Sequence, residues 1–195
     1  VCSSDLVGPT QHKSLEDIAA AEPLADMIEL RLDLMSDFDL GTLLSASTKP
    51  CIVTNRTKRE GGQFSGSEEE RIGLLKQAVA AGADYVDIET STPKELLKPF
   101  LESDHQSKVI LSYHNFTDTP EEIGHLYDLM CAMPADILKI VTYARDINNN
   151  LALFELLRRS KKDDKKLIAL CMGEKGEVSR ILSPLLGGFL TFGSL

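Results

Sequence analysis

The chain has no apolar run approaching the roughly 18 residues that a membrane span requires. Nor does any segment near its start join a charged stretch to an apolar core in the manner of a secretory signal. Surplus positive charge is also missing. Thirty acidic residues against 21 basic ones leave a net charge of −9, which argues against nucleic acid or an anionic membrane as a partner. A small anionic substrate, held by a few local arginines, stays compatible with that balance. The four cysteines, Cys2, Cys51, Cys131 and Cys171, show neither CxxC nor any other metal-ligand spacing. Cys51 and Cys171 fall in apolar runs, where a buried free thiol is the plain reading. A reducing, cytoplasmic location is therefore expected.

What is present is ordinary globular composition, 43% hydrophobic over 195 residues, enough for one domain with a sizeable core. Short apolar runs at 27–32, 51–55, 85–89, 109–113, 137–142, 167–171 and 188–191 read as strands. Between them lie helix-period segments near 13–22, 38–46, 68–82, 93–103, 120–133, 148–160 and 175–183. The strand runs recur about every 22–33 residues, the size of a βα unit. They are continuously apolar rather than alternating, as in parallel strands buried on both faces.

Helix signals agree. Ser67 precedes Glu68, Glu69 and Glu70, which favour a helix N-terminus. Gly82 is a helix stop. Thr119-Pro120 reads as an N-cap followed by proline at the first helical position. The expected class is α/β, a (β/α)8 barrel, with a doubly wound sheet as the alternative. The absence of a glycine-rich dinucleotide loop after the early strands weakens that alternative.

The barrel reads as incomplete. Only Val7 and Gly8 resemble the end of a first strand, and no eighth helix follows the last strand before Leu195. Residues 1–6 read as a non-native leader and 7–195 as a single barrel domain, cut at both ends.

Reactive groups of a parallel barrel collect at the C-terminal ends of its strands. Those positions hold Glu29 and Arg31, Arg56, Glu89, His114, Lys139 and Met172. Lys139 stands out, because apolar residues flank it on both sides. Desolvation disfavours an ammonium group there, leaving an amine able to attack a ketone. Any one of these charges alone could be a solvated rim residue. Their recurrence in register argues for an active site.

The chain resembles type I 3-dehydroquinate dehydratases from about Val7 to Leu195. The motifs that carry the likeness begin with Glu29-Leu30-Arg31-Leu32-Asp33, Arg56 followed by Glu60-Gly61-Gly62, and Asp87-Ile88-Glu89. Next come Ser112-Tyr113-His114-Asn115-Phe116 and Asp136-Ile137-Leu138-Lys139. Last are Met172-Gly173-Glu174-Lys175-Gly176 with Ser179-Arg180, and Gly187-Gly188 with Thr191-Phe192.

The resemblance implies a dehydratase of the shikimate pathway that uses no metal or cofactor. Lys139 would form a Schiff base with 3-dehydroquinate. His114 would act as general base and acid, and Glu89 would orient it. Glu29 and Arg56 would hold substrate hydroxyls. Arg31 would join them or pair with a neighbouring strand's carboxylate. Arg180 would grip the substrate carboxylate. Phe116 and Phe192 would wall the pocket and Met172 would floor it. The resemblance further allows a homodimer and a fused shikimate dehydrogenase domain. One departure stands out. The family's Ser-Ala-Pro-Gly-Gln run after the last strand is not in this sequence.

Two other readings use the same residues. A Schiff-base aldolase on a similar barrel would share the strand lysine, but it usually needs a phosphate loop late in the barrel, and no glycine-rich one follows Thr191. An inactive fragment or binding module is the second.

Overall fold

A computed structural model describes residues 2–6, 9–104 and 106–194. It divides into two compact units. The first comprises Val1–Ile88, Thr92–Val109 and Phe192–Leu195; the second comprises Glu89–Ser91 and Ile110–Thr191.

The first unit carries β1 (Cys2–Leu6), α1 (Gln11–Ala21), β2 (Met27–Arg31), α2 (Leu40–Ser45), β3 (Cys51–Thr54), α3 (Glu68–Ala80) and most of β4 (Tyr85–Glu89). It also carries α4 (Lys94–Leu101). The strands pair in parallel with their neighbours in the chain, Ser4 opposite Ile28, Ile28 opposite Cys51, and Val53 opposite Val86. Because successive residues of a strand face opposite sides, Ile28, Leu30, Val53, Val86 and Ile88 share one face. All five are fully buried. Each contributes about 1.5–3 kcal/mol by leaving water. The other face carries Glu29, Arg31, Thr54 and Asp87.

The starts of α1, α2 and α3 are made by side chains. Thr10 accepts the Lys13 N–H (3.3 Å), and Asp39 accepts that of Thr42 (2.7 Å). Ser67 and Glu70 form a reciprocal capping box, 3.1 and 2.7 Å. Gly82, at φ 92°, stops α3 as its position in the sequence suggested.

The second unit carries the rest of β5 (Lys108–His114), then α5 (Ile123–Cys131), β6 (Ile137–Tyr143), α6 (Asn149–Lys162), β7 (Lys166–Met172) and α7 (Glu177–Leu185). Here too the pairing is parallel and sequential, β5 with β6 and β6 with β7. Among the described residues, the one departure from sequential order is in the first unit, where β1 lies beside the last strand, Thr191–Ser194, the first-to-last pairing of a (β/α)8 barrel rather than the switch point of a doubly wound sheet. Parallel strands alternating with helices are the architecture of an incomplete (β/α)8 barrel, the class expected from the sequence. No helix among the described residues is long and apolar enough to cross a membrane.

Four local expectations differ from the structure. Residues 2–6 form β1, whereas the first strand was expected to be largely missing with its end at Val7-Gly8, two residues outside those described. A strand there speaks to the conformation of those residues and not to their origin. The last strand, β8, runs Thr191–Ser194 rather than 188–191. Gly187 and Gly188 instead fold back on α7, donating to Pro184 O (3.2 Å) and Ser183 O (2.8 Å). Helix α5 begins at Ile123, not at Pro120. Thr119 is drawn elsewhere, its hydroxyl bonded to Thr142 Oγ1 (2.8 Å) and Tyr143 O (3.1 Å). Lastly, Lys139 lies third in a seven-residue strand rather than at a strand end.

Cys51 and Cys171 are buried free thiols, as read from the sequence. Burial, with Asp84 adding to it, pushes the Cys51 thiol up to about 11, and burial also raises Cys171. The thiolate is the reactive form, so iodoacetamide at pH 8 should modify half-buried Cys131 and spare Cys51 and Cys171. Peptide mapping that finds either of the latter labelled in folded protein would contradict this packing.

Candidate active site

The second unit brings four of the expected residues, Glu89, His114, Lys139 and Met172, onto one face. Ser112 of β5 sits opposite Lys139 of β6, and Lys139 sits opposite Ile168 of β7. The Thr90 N–H donates to Ser112 O (2.8 Å), which aligns Glu89 with Ser112. Glu89, Ser112, Lys139 and Ile168 therefore make one transverse row. Two residues on, the same face carries the next row, His114, Val141 and Leu170. The row after that pairs Tyr143 with Met172. Layers of this kind arise wherever parallel strands keep register, since residues i and i+2 share a face.

Burial grades along these layers. Glu89, Ser112 and Lys139 are buried, Lys139 at 5% exposure. His114 and Met172 are half-buried. The amine thus sits below the imidazole, among groups that exclude water. A lysine is seldom buried unless paired or put to use, and every one of its strand neighbours from Ile137 to Thr142 is buried too.

The turn after β5 holds His114 in place. Asn115 donates its main-chain N–H to Val141 O (2.9 Å). Its side-chain oxygen accepts the N–H groups of Thr117 (2.8 Å) and Asp118 (3.1 Å), an Asx turn. Phe116, 47% exposed, stacks on the His114 ring with centroids 6.3 Å apart and planes at 21°.

Arg180 lies half-buried in the first turns of α7. Its neighbour Ser179 is fully buried and locks that helix to β7. The Ser179 hydroxyl accepts the Cys171 N–H (2.8 Å) and donates to Gly176 O (2.7 Å). Sequence reasoning gave Asn115 and Ser179 no role, although both lie in the quoted motifs.

The first unit collects a second group on its polar face. Arg31, Thr54 and Asp87 form one row across β2, β3 and β4. Glu29 precedes Arg31 by one pleat, and its Oε1 accepts the Thr54 hydroxyl (2.6 Å). Arg56 follows β3 and pairs with Asp87, Nη2 to Oδ2 2.9 Å, both side chains almost wholly buried. Removing one partner of such a pair costs about 3–5 kcal/mol, because the other is left as an uncompensated buried charge.

Arg31 does find a carboxylate, but not one on a neighbouring strand. Its Nε and Nη2 donate to the two oxygens of Asp33, each at 2.9 Å. Burial works against the guanidinium charge, yet the Asp33 bond and the Glu29 and Asp33 charges outweigh it and leave the Arg31 pKa raised. Asp33 is a third residue that the sequence reading left without a role. Phe192 of β8 is half-buried in this unit.

The chain is similar to known proteins over almost its whole length. The model of the family described as type I 3-dehydroquinase matches residues 2–195. A 3-dehydroquinate dehydratase of Dehalococcoides mccartyi is 46% identical over 192 residues, covering 95% of this chain and 82% of the relative. The chloroplastic bifunctional 3-dehydroquinate dehydratase/shikimate dehydrogenase of Arabidopsis thaliana is 38% identical; the match takes in all of this chain and 33% of that protein. Among solved structures, a type I 3-dehydroquinate dehydratase from Clostridium difficile superposes with a TM-score of 0.91 at 25% identity, covering 99% of this chain and 83% of that one. A match that runs almost end to end, with a relative at nearly half identity, agrees with the buried lysine and its row of polar neighbours: the chain belongs to the type I 3-dehydroquinase family.

Proposed function

We propose that the chain dehydrates 3-dehydroquinate to 3-dehydroshikimate through a Schiff base on Lys139. The activity is that of its family, a hydro-lyase of the shikimate pathway. One observation carries the assignment of the nucleophile: a lysine buried at mid-strand, one pleat below a histidine on the adjacent strand and in one row with a glutamate.

The Lys139 amine adds to the C3 ketone, and loss of water gives a protonated imine. That cation draws electrons from the neighbouring carbon. His114 removes the C2 proton, and an enamine forms. The enamine electrons then expel the C1 hydroxyl, which takes the proton from His114 and leaves as water. Hydrolysis of the product imine frees 3-dehydroshikimate and restores the amine. One water is lost overall.

Each proton step needs the imidazole facing the same way. The Asx turn at Asn115 and the ring of Phe116 support that role for His114. Glu89, by its row, is assigned to hold the imidazole and stabilise its charged form, as the third member of a triad does. Arg180 is assigned to the substrate carboxylate, which suits a guanidinium fork. Glu29 and Arg56 are assigned to hydroxyls, and Phe192 and Met172 to the pocket lining. We place the enzyme in the cytoplasm, in keeping with free thiols at Cys51, Cys131 and Cys171, and a dimer or a fused shikimate dehydrogenase, as in the Arabidopsis relative, fits this reading.

Borohydride reduction in the presence of 3-dehydroquinate should leave a covalent adduct on Lys139, seen by intact mass and peptide mapping. Lys139→Ala should abolish it; an adduct mapped to another lysine would refute the assignment. In His114→Ala the adduct should still form while kcat falls about 10²–10⁴-fold, the usual contribution of a positioned acid–base group. Near-normal turnover in that variant would remove the histidine from the mechanism.

A further inference from the structure

The Asp33 carboxylate is fully buried and accepts four hydrogen bonds. Oδ1 takes the Arg31 Nε–H (2.9 Å) and the main-chain N–H of Arg56 (3.1 Å). Oδ2 takes the Arg31 Nη2–H (2.9 Å) and the main-chain N–H of Gln63 (3.0 Å). A carboxylate offers about four lone-pair sites, so these bonds saturate it.

Two of the donors bracket a loop. Residues 56–64 leave β3, make one turn of 3-10 helix at Lys58–Glu60 and come back to their own start. The Gly62 N–H donates to Thr57 O (2.8 Å), and the Phe64 N–H donates to Arg56 O (3.1 Å). The closure is tight. Gly61 sits at φ 78°, and a Cβ on Gly62 would lie 2.1 Å from Arg56 O. Such a close approach of two main chains admits only glycine.

Arg56 is thus held at three places. Asp33 fixes its N–H, Phe64 its carbonyl, and Asp87 its guanidinium. We propose that Asp33 is a positioning residue, whose carboxylate sets where Arg56 presents its guanidinium to the substrate. The proposal rests on the assignment of Arg56 to substrate binding. Arg31 then serves as the two-point partner that orients the Asp33 carboxylate, and its contribution to the substrate passes through the aspartate.

Chemistry explains why an aspartate is needed. An asparagine of the same shape would keep one acceptor oxygen and turn an N–H₂ toward Gln63 or Arg56, donor against donor. It would also leave the Arg31 charge without its partner. A loosened Arg56 must be ordered when the substrate binds, and that cost appears in affinity. The chemical step involves other residues, so turnover is spared.

The test is a double-mutant cycle on kcat and KM for 3-dehydroquinate, using Asp33→Asn, Arg56→Lys and the pair. Asp33→Asn should raise KM roughly tenfold or more with kcat within about threefold, the mark of lost uniform binding. In the Arg56→Lys background, the same change should move KM by less than about twofold, because the residue it positions is already altered. An equal KM rise in both backgrounds would place the effect of Asp33 elsewhere and overturn the proposal. An unchanged KM in Asp33→Asn would do the same while leaving the Arg56 assignment standing. If Arg56→Lys alone leaves KM unchanged, that assignment falls and the proposal with it. Should Asp33→Asn fail to fold, Gln63→Pro carries the test. It removes the N–H of one exposed residue while fixing the local φ, and should raise KM about threefold with the same dependence on Arg56. No rise in that variant overturns the proposal.

Discussion

Register in the parallel ladder is the constraint on which the rest depends. Ser112 opposite Lys139 and Lys139 opposite Ile168 put the amine on the polar face of the second unit. A slip of one residue would turn it to the opposite side and bring Leu138 in its place. What resists the slip is the burial of both faces. Leu111, Ile140, Leu167 and Ala169 fill one side while Ile168 and Leu170 fill the other. Neither side can receive the charges without stranding them. The polar row is therefore a by-product of packing: once the apolar residues take their places, Glu89, Ser112 and Lys139 have only one row to occupy.

Most of this was legible beforehand because it is written in local pattern. Strands β2 to β7 show as continuous apolar runs, and the capping box at Ser67 and the stop at Gly82 lie within a few residues of the ends they define. The candidate residues of those strands were legible for the same reason, since a charge inside an apolar run is conspicuous. What escaped notice depends on partners distant in the chain. Thr119 looked like a helix cap until Thr142, 23 residues on, claimed its hydroxyl. Asp33 was visible only as part of a motif, because two of its donors are main-chain N–H groups of residues 56 and 63, and a main-chain donor has no sequence signature. Ser179 works the same way, through the N–H of Cys171. In the last strand, the apolar composition of 188–191 suggested a start that the turn at Gly187-Gly188 delays.

The polar face of the first unit is expensive in stability. Glu29, Arg31, Asp33, Arg56 and Asp87 put three carboxylates and two guanidinium groups out of water or nearly so. Apolar side chains of similar volume would often stabilise a fold as well or better. Ion pairs kept at that cost are more readily understood as a recognition surface than as a scaffold. The same holds for Lys139, whose strand neighbours would pack equally well around a methionine or leucine.

Within each unit, strands pair with their immediate predecessor or successor in the chain, save that β1 also lies beside β8. The consequence reaches back to synthesis. A nascent polypeptide leaving the ribosome presents each strand only after its partner has emerged, one helix earlier. For these sequential pairs loop-closure entropy stays small, whereas the second edge of β1 waits for β8, at the other end of the chain. Assembly of the sequential pairs can then follow translation, so that sticky intermediates along them are short-lived.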